Sequence, residues 1–79
     1  MSTEILQQAI ENSRNGEIHL GTANGWGEKT NALYKALNEC KVPNSGSSRN
    51  LGRCYNEYSF DVIIDEKTYV VVYSVDSGD

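Results

Sequence analysis

Along Tyr58–Val75, YSFDVIIDEKTYVVVYSV, apolar positions recur every second residue, and the polar break Asp65-Glu66-Lys67 divides the stretch into two strands. Branched and aromatic side chains dominate both halves, a composition that fits a pleated, half-buried surface. With a two-residue turn at Glu66-Lys67, Tyr58, Phe60, Val62 and Ile64 share a face with Tyr69, Val71, Tyr73 and Val75, because successive side chains alternate. A turn at Asp65-Glu66 shifts the pairing but keeps both sets on one side. The register stays open, since neither Asn-Gly nor Asp-Gly marks the turn. On the second face the first strand carries Glu57, Ser59, Asp61, Ile63 and Asp65, and the second carries Thr68, Val70, Val72 and Ser74. The YVVVY strand is therefore apolar on both sides and is expected at the centre of a sheet or in a partner surface.

Upstream the apolar period lengthens. Ile5, Leu6, Ala9 and Ile10 mark one face of a helix over roughly Thr3–Arg14, with Ser2 or Thr3 as N-cap, Glu4 in the first turn and Asn15-Gly16 as the stop. Glu17-Ile18-His19-Leu20 reads as a short strand with Ile18 and Leu20 on one side and a solvent-facing His19 on the other. Beyond the glycine-rich stretch 21–27, Ala32, Leu33, Ala36, Leu37 and Cys40 place an apolar stripe on a second helix over about Glu28–Glu39. Residues 41–56, KVPNSGSSRNLGRCYN, read as one long irregular loop anchored by Leu51 and Tyr55, and Asp76–Asp79 as a frayed tail.

The order helix, strand, helix, strand, strand predicts a single two-layer α+β domain over residues 1–79, with two helices packed on a three-stranded sheet of order 1-3-2. A right-handed crossover through the second helix sets the short strand parallel to the first hairpin strand, with YVVVY inserted between them. If both helices share one side of the sheet, the other stays open.

Composition narrows the class. At 38 % hydrophobic and 23 % charged residues the chain is that of an ordinary globular protein. No apolar run approaches the ~20 residues needed to span a bilayer, and the N-terminus carries no basic-then-apolar leader, so a cytoplasmic location is expected. Cys40 and Cys54 are then expected as free thiols, and with His19 alone they make no convincing metal site; no cofactor is implied.

The net charge of −4 is unevenly spread: residues 1–54 hold five acids and six bases (+1), and residues 55–79 hold six acids and one base (−5). Such a balance argues against phosphate-backbone binding and favours solubility or a basic protein partner.

Three constellations carry candidate chemistry. The segment GTANGWGEKT between a strand and a helix outlines a phosphate loop, with Lys29-Thr30 where a Walker motif has its Lys and Ser or Thr. Glu28 intervenes, so the segment reads either as a plain turn whose glycines serve geometry or as a simple anion- or ligand-binding turn through Gly25, Gly27, Lys29 and Thr30, to which Arg49 and Arg53 could add a carboxylate or phosphate grip. Trp26, between two glycines, either folds back onto the sheet or anchors a partner. Glu57, Asp61 and Asp65 fall on one strand face about 13 Å apart, too far for the ~5–10 Å of a paired-carboxylate catalytic site. With Glu66 they form either a negative docking stripe or an edge strand charged against aggregation.

The expectation is a non-enzymatic, acidic protein-binding module, an inhibitor or regulator that occupies a basic surface of a nucleic-acid-handling protein through Glu57, Asp61, Asp65, Glu66 and Trp26. In size, charge and lack of catalytic residues the chain is similar to small phage-encoded proteins that block host defence or host enzymes, such as anti-CRISPR proteins, a resemblance of type rather than of motif. A small-ligand domain built on the glycine-rich loop is the alternative. Self-association through Val70 and Val72 on the open face is a third reading.

Overall fold

The computed structural model of the chain describes residues 2–76. Two α-helices, α1 (Ser2–Glu11) and α2 (Glu28–Glu39), accompany four strands: β1 (Glu17–Thr22), β2 (Ser47–Asn50), β3 (Tyr55–Ile64) and β4 (Lys67–Asp76). The sheet order is β1-β4-β3-β2, with β1 parallel to β4 and the other two pairings antiparallel. The α+β class and the central place of β4 are as the sequence predicts. The sheet has four strands rather than three, because Ser47–Asn50, inside the segment expected to be irregular, pairs with Asn56–Ser59 of β3.

That extra strand explains a second departure. The strand after α2 is β2, which runs parallel to β1, so the crossover joins those two. Inserting one strand reverses every later one, and β1 meets β4 in parallel instead of lying parallel to β3. The remainder of segment 41–56 is also ordered on β3. Val42 donates its N–H to the Asp61 carbonyl and Ile63 donates to the Cys40 carbonyl, at 2.9 and 3.2 Å. Between these bonds and β2 the chain bulges outward, and the Ser45 hydroxyl takes the vacant place by accepting the Asp61 N–H at 3.0 Å. β3 is thus paired along both sides and is no edge strand. Leu51 and Tyr55, expected as buried anchors, are exposed and close the β2–β3 connection through a backbone bond instead, Leu51 N–H to Tyr55 carbonyl at 3.0 Å.

The hairpin turn is Asp65-Glu66, since Ile64 faces Lys67. Both turn residues have positive φ, 50° and 67°, the pair of left-handed conformations that a two-residue turn needs to match the twist of its strands. Asn15-Gly16 shows the same geometry, at φ 53° and 79°, and Arg14 and Glu17 exchange both backbone bonds across it. The Asn-Gly pair therefore works as a miniature hairpin turn and not as the helix stop. α1 ends earlier, at Glu11, where the Ser13 hydroxyl donates to the Ile10 carbonyl at 2.6 Å.

One face of the sheet carries the core. Ile18, Phe60, Val62, Ile64 and Val71 are buried there against Ala9 of α1 and Leu37 of α2, with Leu6, Ile10, Leu20, Leu33, Tyr34, Tyr69 and Tyr73 packed around them. Both helices lie on this side. The side chains of Ser2 and Thr3, expected as N-caps, are not described; of the tail expected over Asp76–Asp79, Asp76 is instead the last residue of β4 and residues 77–79 lie outside the described residues.

Candidate functional site

The uncovered face of the sheet can be read row by row from the strand register. Glu17, Val70 and Asp61 form one row across β1, β4 and β3; His19, Val72, Ser59 and Ser47 form the next; Thr22, Ser74, Glu57 and Arg49 form the third. Neighbouring strands lie about 4.8 Å apart, so Val70 stands between two carboxylate-bearing positions roughly 10 Å from each other. Ile63, opposite Thr68, extends the apolar strip and is 51 % exposed. The face therefore offers an aliphatic centre, Ile63, Val70 and Val72, with acids on both flanks.

Internal pairings decide how much of that acid is free to act. Arg49 reaches Glu57 across the β2–β3 pair at 3.0 Å, so one residue from each of the two competing site readings is spent on the other. His19 approaches Glu17 at 3.0 Å on the same strand. Asp65, expected on the same stripe as Glu57 and Asp61, is carried by its left-handed turn towards α1, where its carboxylate accepts a hydrogen bond from Gln7 at 2.9 Å. Glu66 projects exposed from the tip of the turn. Asp61 is the one expected acid that stays on the open face with no charged partner among the described residues. Glu17 and His19, which sequence reasoning left out of the docking set, join it because β1 pairs with β4.

Trp26 lies elsewhere. Irregular pairing between His19 and Gly21 frees the Leu20 carbonyl, and the Trp26 indole N–H donates to it at 2.6 Å. The ring lies against Tyr34 and Tyr73, at centroid distances of 5.2 and 5.4 Å, on the helix-covered side. It is half-buried and does not share a surface with Asp61. The preceding turn Ala23–Gly25 is pinned by Asn24, whose side-chain amide exchanges two hydrogen bonds of 2.9 Å with the backbone of Asp76. Gly25, Gly27, Lys29 and Thr30 follow at the start of α2, whereas Arg49 lies on the opposite edge strand and Arg53 in the exposed β2–β3 connection. The six residues of the ligand-binding reading are not gathered into one site.

On the helix-covered side Trp26, Tyr34, Tyr58, Phe60 and Tyr73 form a continuous set of ring contacts, with Tyr58 stacked on Tyr73 at 5.5 Å. The Tyr34 and Tyr73 hydroxyls are 3.3 Å apart. Burial first, and then this hydrogen bond, push the Tyr73 phenol up to about 12. Tyr34 is held below the usual tyrosine value, chiefly by the bond from Tyr73. Either hydroxyl can donate while both are neutral; once Tyr34 is ionised its oxygen accepts from Tyr73. Sequence periodicity placed Tyr58 and Tyr73 on the core face; Tyr34, one residue beyond the α2 stripe, gave no comparable signal.

No disulfide joins Cys40 and Cys54. Among the described residues no three His, Cys, Asp or Glu side chains are placed to hold a metal ion, and no helix is long and apolar enough to cross a membrane. None of the known protein-family models, characterised proteins or solved structures matches this chain.

Proposed function

We propose that the protein is a non-enzymatic binding module that docks its open sheet face onto a protein partner with a basic surface. The observation that carries this reading is the aliphatic strip of Ile63, Val70 and Val72 flanked by Asp61 and Glu17 on a sheet face that neither helix covers. Apolar contact supplies affinity at the centre of such an interface, and flanking charge supplies register and association rate. A partner whose Lys and Arg otherwise hold phosphates fits this charge pattern, which makes inhibition or regulation of a nucleic-acid-handling protein the favoured role. Relative to the sequence expectation the docking set moves: Asp61 stays, Glu17 joins, and Trp26, Asp65 and Glu66 fall outside it, while Glu57 acts only after Arg49 releases it.

Affinity capture from a lysate with parallel baits tests the reading. Proteins retained by the wild type and lost by both Val72→Arg and Asp61→Lys identify the partner, and its association rate should fall as salt rises. Equal capture by all three baits, or a salt-independent rate, would falsify the docking face.

Self-association through the same strip has less support, because a second copy would bring Asp61 and Glu17 against like charges. Sedimentation at two concentrations separates the cases. The Gly25–Thr30 segment as a small-ligand site also has less support, since Asn24 and Trp26 tie the loop before it to Asp76 and Leu20.

A further inference from the structure

A groove of about 340 Å3 lies on the helix-covered side, between the end of α2 and strands β2, β3 and β4. It is lined by Tyr34, Tyr58, Phe60 and Tyr73, and its cation is Lys41, whose Nζ is 5.4 Å from the Phe60 ring centroid. Among the described residues no carboxylate lines it. The ion pairs found among the described residues, His19 with Glu17 and Arg49 with Glu57, leave Lys41 without a carboxylate partner. In a chain of net charge −4 such a pocket is the exception to its surroundings. The volume is at the lower end of the ~300–1,000 Å3 typical of small-molecule sites.

We propose that this groove binds a mononucleotide, with the base against the tyrosine rings and the phosphate at the Lys41 ammonium. Flat π-systems stack on aromatic side chains with little regard to sequence. A phosphate satisfies a cation that has no other anionic partner. The Ser48 side chain, opposite Tyr58 on β2, and the side-chain oxygen of Asn38, whose amide nitrogen donates to the Tyr34 carbonyl at 3.0 Å, add neutral hydrogen-bonding groups suited to a sugar. A longer strand is disfavoured, because its further phosphates would meet a net-acidic surface. The groove shares Ser47 and Ser59 with the rim of the open face but not Asp61, Glu17, Ile63, Val70 or Val72, so neither inference depends on the other.

Amide chemical shifts of the isotope-labelled protein, followed while AMP, GMP, CMP or UMP is added, test the proposal, with adenosine, inorganic phosphate and a ten-nucleotide single strand as comparisons. At least one mononucleotide should saturate, with shifts centred on Tyr34, Lys41, Ser48 and Tyr58. Lys41→Met should weaken it about tenfold, as expected for a charged hydrogen bond, and leave adenosine unchanged. Tyr58→Leu should weaken both about fivefold or more. Lys41 is exposed, so Lys41→Met keeps the fold and carries the test even where Tyr58→Leu does not. The proposal is overturned by absence of saturation with all four mononucleotides at millimolar concentration, by an unchanged affinity in Lys41→Met, or by tighter binding of the ten-nucleotide strand.

Discussion

Glu66→Gly should stabilise the protein, and the structure supplies the size of the effect. Glu66 is the second residue of the β3–β4 turn, at φ 67°, with its side chain exposed. A left-handed conformation costs a residue with a Cβ about 1–2 kcal/mol, and glycine avoids that while giving up roughly 0.5–1 kcal/mol of additional chain entropy on folding. The difference leaves a net gain of about 0.5–1 kcal/mol. For a domain of this size a gain of 1 kcal/mol raises Tm by ~4–8 °C, so a rise of roughly 2–8 °C is expected. Urea and thermal unfolding at neutral pH measure it, with the urea slope unchanged if only stability moves. Glu66→Ala is the decisive comparison: it removes the same charge but keeps the Cβ, and should gain nothing comparable. If the alanine variant gained as much as the glycine variant, relief of charge repulsion would replace backbone conformation as the cause. If glycine destabilised, the turn geometry itself would be wrong.

Leu37, fully buried at the centre of the core, should cost about 2–5 kcal/mol on truncation to alanine, enough in so small a domain to abolish a cooperative thermal transition. Trp26→Phe keeps a ring against Tyr34 and Tyr73 but loses the indole bond to Leu20; a loss of about 1 kcal/mol is expected by urea unfolding, with a larger loss for Trp26→Ala. In alkali the two paired phenols should separate: absorbance near the phenolate band should show Tyr34 ionising before Tyr73. Because the folded Tyr73 value is raised to about 12, its contribution to stability is fully present below ~10, the unfolded tyrosine value, and is lost as pH climbs from there to about 12. The depressed Tyr34 acts in the opposite sense just below that window, favouring the folded state as pH approaches the unfolded value. Tyr73→Phe should remove the loss above the unfolded value.

How much of this was legible in the sequence depended on the length and purity of each signal. The hairpin faces were readable because ten-residue strands repeat the alternation many times, and the doubly apolar YVVVY could sit comfortably only at the centre. β2 was invisible for the opposite reason: Ser47-Ser48-Arg49-Asn50 are all exposed and hold their place through backbone bonds to β3, which leave no hydrophobic period. Missing it reversed the inferred direction of β3 and β4 relative to β1. It also hid the contact between Arg49 and Glu57, residues that seemed to belong to different sites. Asp65 misled through a similar blindness, since strict alternation puts it beside Asp61 while a left-handed turn residue obeys no alternation. For the aromatic groove, the tyrosines were visible as core residues but not the gap they enclose, because Tyr34 and Lys41 reach it from a helix and its exit, far from β3 in sequence.

The parallel pairing of β1 with β4 has a consequence for the making of the protein. Glu17 finds its partner Val70 only after 53 further residues (70 − 17) have been added. At ~5–20 residues per second of synthesis that is roughly 3–10 s during which Ile18 and Leu20 have no sheet to join. α2 and the β2–β3 hairpin can meet in that interval, since the exit of α2 bonds to β3 and Tyr34 packs on Phe60, whereas β1 has no strand to pair with until β4 arrives. Closure of the sheet should therefore come last, and a nascent chain stalled before Lys67 would leave Ile18 and Leu20 open to whatever chaperone or neighbour is at hand.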